Sequence, residues 1–175
     1  MKKLVFLISA IFISVFLVAC GDEASDSNDD TVDANEDEES SKNGVSDTEF
    51  DNGDYVYEII AVEQITSKDE DAQILAVELS FTNNTDEPID PWMAMGLSAE
   101  QETEATVEGL DGANGLFPDD YKGELVEMGD TDVKPGATVD AVIGFEILYP
   151  GESVKLYNFS YTDEVLFEKT VDTTK

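Results

Sequence analysis

The sequence predicts an all-β domain, an antiparallel sandwich of about seven short strands. From Tyr55 onward, β-branched, aromatic and leucine side chains alternate with polar ones in short runs, the period of strands that bury one face. Turn clusters such as Asn83-Asn84-Thr85-Asp86, Lys134-Pro135-Gly136 and Tyr149-Pro150-Gly151 separate these runs. No stretch of the domain carries a convincing helical stripe. Sheets with one apolar face are stable when two of them close on each other.

The chain opens with Met1-Lys2-Lys3 and an uncharged apolar run from Leu4 to Val18. These are the n-region and h-region of a secretory signal, and the run is shorter than the roughly 20 apolar residues of a membrane span. Leu17-Val18-Ala19-Cys20 then sets a small residue before a cut and a cysteine just after it. This stretch resembles the bacterial lipoprotein signal. The resemblance implies a signal peptide over residues 1–19, lipid on Cys20, and a protein held at the extracytoplasmic face of the cell membrane. One acyl chain holds a protein only marginally, and no basic patch lies near Cys20. Anchoring therefore falls to the diacylglyceryl group that the resemblance implies.

Residues 20–52 read as a lipidated cysteine followed by a disordered acidic tether. Between Gly21 and Asn52 thirteen acids face one base, Lys42, and such a segment has too little to bury to fold. As a flexible coil it reaches roughly 30 Å, more with charge repulsion. Asp33, Asn35 and Asp37 mimic the start of an EF-hand loop, but Glu38 replaces its turn glycine and Gly44 its bidentate glutamate.

The folded domain is expected over residues 53–175. Tyr55 to Ile65 is rich in β-branched and aromatic residues and reads as its first strand. Ile74 to Asn83 follows, with Leu75, Val77, Leu79 and Phe81 inward and Ala76, Glu78, Ser80 and Thr82 outward. Pro91 to Ala99 is expected as a strand, with Met93, Met95 and Leu97 packing the core. Glu102 to Glu108 pairs back on it. Gly109 to Gly123 is broken by glycines, with a helical turn expected near Pro118-Asp119-Asp120-Tyr121 and a brief apolar element at Leu125 to Met128. Pro135-Gly136 has the type II signature and leads into a strand from Thr138 to Leu148. Val154 to Tyr161 and Val165 to Val171 close the domain.

A strand ending Phe81-Thr82-Asn83-Asn84, a loop with Pro91 and Trp92, a Val133-Lys134-Pro135-Gly136 turn and a strand ending Phe145-Glu146-Ile147 form a familiar order. It is similar to the immunoglobulin-like domains of unknown function in lipoproteins of Gram-positive bacteria. These are related in fold to a mycobacterial immunoprotective extracellular antigen. The resemblance spans about residues 54–171 and implies an immunoglobulin-like fold. It brings no catalytic residues with it.

Composition narrows the chemistry. A net charge of −32 with no arginine, about −34 once Lys2 and Lys3 leave with the signal, excludes nucleic acid as a partner and opposes docking on anionic lipid. Without histidine the commonest general base and metal ligand is missing, and the single cysteine is the lipidated one. Carboxylate pairs such as Asp119-Asp120 or Glu102 and Glu104 are expected by chance in so acidic a chain. A non-enzymatic module without cofactor follows, meeting an unknown protein or envelope partner. Loops carry the sites of such sandwiches, so the Trp92 loop and residues 109–124 are the expected contact region. The alternative is a calcium-binding accessory role, with Asp111, Asn114, Asp119 and Asp120 supplying oxygen ligands.

Overall fold

The computed structural model describes residues 45–175. The expected signal peptide, Cys20 and all but the last residues of the expected tether lie outside this range. Two four-stranded antiparallel sheets pack face to face, the immunoglobulin-like sandwich expected. The first holds β1 (Glu49–Asp51), β2 (Tyr55–Thr66), β3 (Gln73–Asn83) and β6 (Thr138–Ile147) in that order. The second runs β5 (Val107–Gly109), β4 (Leu97–Glu102), β7 (Val154–Asn158), β8 (Glu168–Val171). Between the sheets lie Leu75, Val77, Leu79, Phe81, Phe145 and Leu156, all essentially without solvent contact.

The fold begins earlier than residue 53. Ser46 pairs in parallel with Phe167 ahead of β8, and β1 then pairs with β2. Phe50 stacks on Tyr57 with ring centroids 4.9 Å apart and meets Phe167 at 5.5 Å. One aromatic side chain thus draws this stretch of the acidic segment into the core, because Phe50 has a face of each sheet to fill.

The outward face of β3 is a second departure from expectation. Its first half is buried, with Ile74 and Ala76 joining Val142, Ala113 and Phe117 in a separate core. The covering piece is the glycine-broken stretch. It forms a 3-10 turn at Asn114–Leu116 and a helix, α1 (Gly123–Gly129), whereas Pro118 to Tyr121 is turn. Phe117 and Tyr121 stack at 5.3 Å, and Phe117 lies so close to Gly144 that a Cβ there would come within 2.8 Å of its ring. Glycine in mid-strand is the cost of seating that ring. Outside, the Lys122 ammonium meets Glu63 at 2.9 Å and Glu78 at 2.7 Å, and Tyr121 donates to Glu63 at 2.7 Å. Hydrogen bonds from Tyr121 and Lys122 hold Glu63 below its usual pKa. Burial, then the bond to Glu63, pushes Tyr121 up to about 12.

Both Pro-Gly turns are as expected. Gly136 and Gly151 have φ of +74° and +99°, with Ala137 N–H donating to Lys134 O and Glu152 N–H to Tyr149 O, the type II pattern. The short link from β6 to β7 sets the end of β6 beside the start of β7. The loops after β3, before β6 and after β7 therefore gather at the opposite end of the sandwich. Because Ser46 runs parallel to the start of β8, the chain enters from that same end.

Candidate functional site

At this loop end the backbone from Asp90 to Gly96 is curled, not extended. Asp90 Oδ1 accepts Met93 N–H at 2.6 Å, Met95 N–H donates to Trp92 O, and Trp92 N–H to Gly129 O. These bonds replace the strand expected over Pro91 to Ala99, and β4 starts only at Leu97. As a result Met93 and Met95, expected in the core, are 59% and 61% exposed. Met95 also has φ of +49°, a left-handed conformation that costs a side-chain-bearing residue roughly 1–2 kcal/mol.

Tyr57 holds the curl. Its ring is fully buried, and its hydroxyl donates to Pro91 O at 3.1 Å while accepting Gly96 N–H at 3.2 Å. One side chain on β2 therefore grips both ends of the loop. Gly96 is needed for the fit, since a Cβ there would sit 2.3 Å from the tyrosine ring. Burial raises the Tyr57 pKa far above its ordinary value, so the hydroxyl remains a donor.

Met95 separates two clefts. The first, about 250 Å³, is lined by Trp92, Met95, Leu110, Asp111, Gly112 and Tyr157. Trp92 rests edge-on against Phe145 at 5.6 Å and covers Gly112, where a Cβ would fall 2.2 Å from the indole. The second, about 290 Å³, is lined by Asp54, Tyr55, Met95, Phe159, Tyr161 and Glu164, among others. Its floor is Asn158, which donates to Glu164 O at 2.9 Å and accepts Leu166 and Phe167 N–H at 2.8 and 3.0 Å. Phe159 and Tyr161 meet edge to face at 4.9 Å, and Tyr161 is 95% exposed. Tyr55, stacked on Phe81, has its pKa raised by burial first and then by the Asp54 charge.

Of the residues expected to carry function, Trp92 and Asp111 come together on the first cleft. Asn114, Asp119 and Asp120 do not join them. Asn114 Oδ1 accepts Gly144 N–H at 2.8 Å, and its amide donates to Asp130 at 2.6 Å. Asp119 and Asp120 are exposed in the turn before α1. Among the described residues, no three or more acidic, histidine or cysteine side chains are grouped to hold a metal ion. Cys20 lies outside the described residues. Phe159 and Tyr161, expected at the end of the strand from Val154 to Tyr161, instead lie in the loop beyond β7 and line the second cleft. The signal available was the polar run Ser160, Thr162, Asp163 and Glu164 around them, which ends β7 at Asn158.

Residues 30–149 match the family described as Domain of unknown function (DUF5067). That span holds the Trp92 loop and the first cleft's Asp111, and stops short of Phe159. No curated protein matches the chain. Among solved structures, a candidate lipoprotein from Staphylococcus aureus superposes with a TM-score of 0.62 at 19% identity, covering 73% of this chain and 90% of its own. A protein from Enterococcus faecalis superposes with a TM-score of 0.58 at 14% identity, covering 76% of this chain and 100% of its own. Both share the fold.

Proposed function

This chain belongs to the family described as Domain of unknown function (DUF5067), and from there we propose a lipid-anchored, non-catalytic binding module at the outer face of the cell membrane. Its contact surface is the loop end around Met95. The observation that carries the reading is the exposure of Met93, Met95, Phe159 and Tyr161 at one end of the sandwich. Large apolar side chains held out on a fixed scaffold mark interaction surfaces. Here the scaffold is the Tyr57 grip on one loop and the Asn158 bonds to the next. The anchor rests on Leu17-Val18-Ala19-Cys20, and the S. aureus protein of like fold is itself described as a candidate lipoprotein. The fold relation to the mycobacterial antigen belongs to the same reading.

Cell fractionation tests the anchor. Cys20→Ser should move the full chain from the membrane pellet to the soluble fraction, because no basic patch adds to the lipid's hold. Unchanged retention in the pellet would sink the anchoring. Turnover of an envelope substrate by the purified protein would sink the non-catalytic part.

A further inference from the structure

We infer that the second cleft receives a polypeptide segment in which a large apolar side chain stands next to lysine or arginine. This deepens the reading of the loop end as a contact surface and rests on it.

Apolar character comes first. Tyr55, Met95, Phe159 and Tyr161 supply the large apolar part of the lining, beside polar residues such as Asn52, Ser160 and Thr162, and aromatic residues and methionine are the types enriched at protein contacts. At about 290 Å³ the cleft falls just below the range of small-molecule sites, roughly 300–1,000 Å³. A space of this size suits one side chain from a larger partner.

Charge then selects the partner. Asp54 and Glu164 stand on the cleft, and no lysine lines it. Lys122 and Lys155 are paired with glutamates elsewhere. The acidic segment also joins the fold at this end, through Ser46 beside Phe167. A cation entering here meets two carboxylates and the aromatic rings of Phe159 and Tyr161, and an arginine or lysine is attracted to an aromatic face by the ring's negative quadrupole.

The same charges exclude the other occupants. Residues 21–44 of this chain are acidic, with Lys42 the one base, and their apolar side chains are Val32 and the alanines Ala24 and Ala34, none of them large. A second copy would bring Asp54 and Glu164 against themselves. An anionic lipid surface is repelled.

A random heptapeptide display library, selected on the purified full chain in uncharged detergent and counter-selected on Phe159→Ala/Tyr161→Ala, tests the inference. Both residues are exposed, and an unchanged urea midpoint confirms that the variant folds. Selected peptides should place Lys or Arg beside Leu, Phe or Trp. A synthetic peptide from the selection should lose about tenfold in affinity to the double variant, and severalfold to Asp54→Asn/Glu164→Gln, with the latter loss shrinking as salt rises. Selection of acidic or uncharged peptides would overturn the partner's chemistry while leaving a contact surface at the loop end. Equal binding by the wild type and the double variant would overturn the surface as well. Self-association, or binding to phosphatidylcholine vesicles, that the double variant abolishes would assign the cleft to a second copy or to lipid and overturn the inference.

Discussion

Tyr57 shows how much one hydroxyl decides. Phenylalanine at this position keeps the stacking on Phe50 but leaves Pro91 O and Gly96 N–H without the partner they share. Leaving buried polar groups unpaired costs about 1–3 kcal/mol. Tyr57→Phe should therefore lower stability by that order in urea denaturation. It should also shift the emission of Trp92, the sole tryptophan, as the loop between Pro91 and Gly96 loosens. Unaltered stability and emission would mean that the loop is held by other contacts. Three buried amides act in a similar way. Asn83 ties Glu87 and Val133 carbonyls, Asn158 ties the loop before β8, and Gln101 makes four backbone bonds, donating to Tyr149 O and Glu152 O and accepting from Leu148 N–H and Tyr149 N–H. None of this was legible in the sequence. Gln101 sits between two glutamates and reads as a solvated residue, yet its exposure is 0%. Its partners are nearly fifty residues away, and spacing along the chain carries no trace of them.

At the scale of elements, the long strands were readable, whereas β1, the Trp92 loop and the excursion between β5 and β6 were not. Period-two alternation over Gln73–Asn83 and Thr138–Ile147 extends across ten or more residues, long enough to stand out. Helix α1 has seven residues, begins and ends with glycine, and has no side-chain cap. Two turns cannot display a stripe, and so short a helix is marginal without tertiary packing. What holds it is the second core under Phe117 and the ion pairs of Lys122. Phe117→Ala removes a ring that touches Tyr121 and Gly144, and should cost about 3–5 kcal/mol. The surface pairs of Lys122 contribute at most about 1 kcal/mol, so Lys122→Met should be much milder. The urea midpoints of the two variants check this ordering, and a reversal would make the ion pairs the principal fastening. The Trp92 loop was misread for a related reason. Met93, Met95 and Leu97 alternate as a strand would, but Asp90 accepts a backbone hydrogen bond three residues on and curls the chain first. A local side-chain bond competes with the ladder there and wins.

For the whole molecule, charge and closure are the governing features. With 41 acids against 9 lysines, self-repulsion opposes the compact state, and salt shortens its reach to about 3 Å at 1 M. The urea midpoint should rise between about 0.05 and 1 M sodium chloride. A flat or falling midpoint would show that the acids are arranged so as not to repel. Closure is reinforced where the ends of the described chain cross between sheets. Ser46 pairs beside β8 before β1 joins β2, and the Gln64 side chain on β2 exchanges hydrogen bonds with Thr174 backbone at 3.0 and 2.7 Å. The order of residues was sufficient for the all-β class, the positions of the long strands and the two Pro-Gly turns, because each is set by neighbours in the chain. Which methionines face water, which strand is covered on both sides, and which loops share a cleft depend on contacts between distant residues. Those were settled only when Tyr57, Gly96, Trp92 and Gly112 met across the sandwich, since steric fit exists only between groups already brought together.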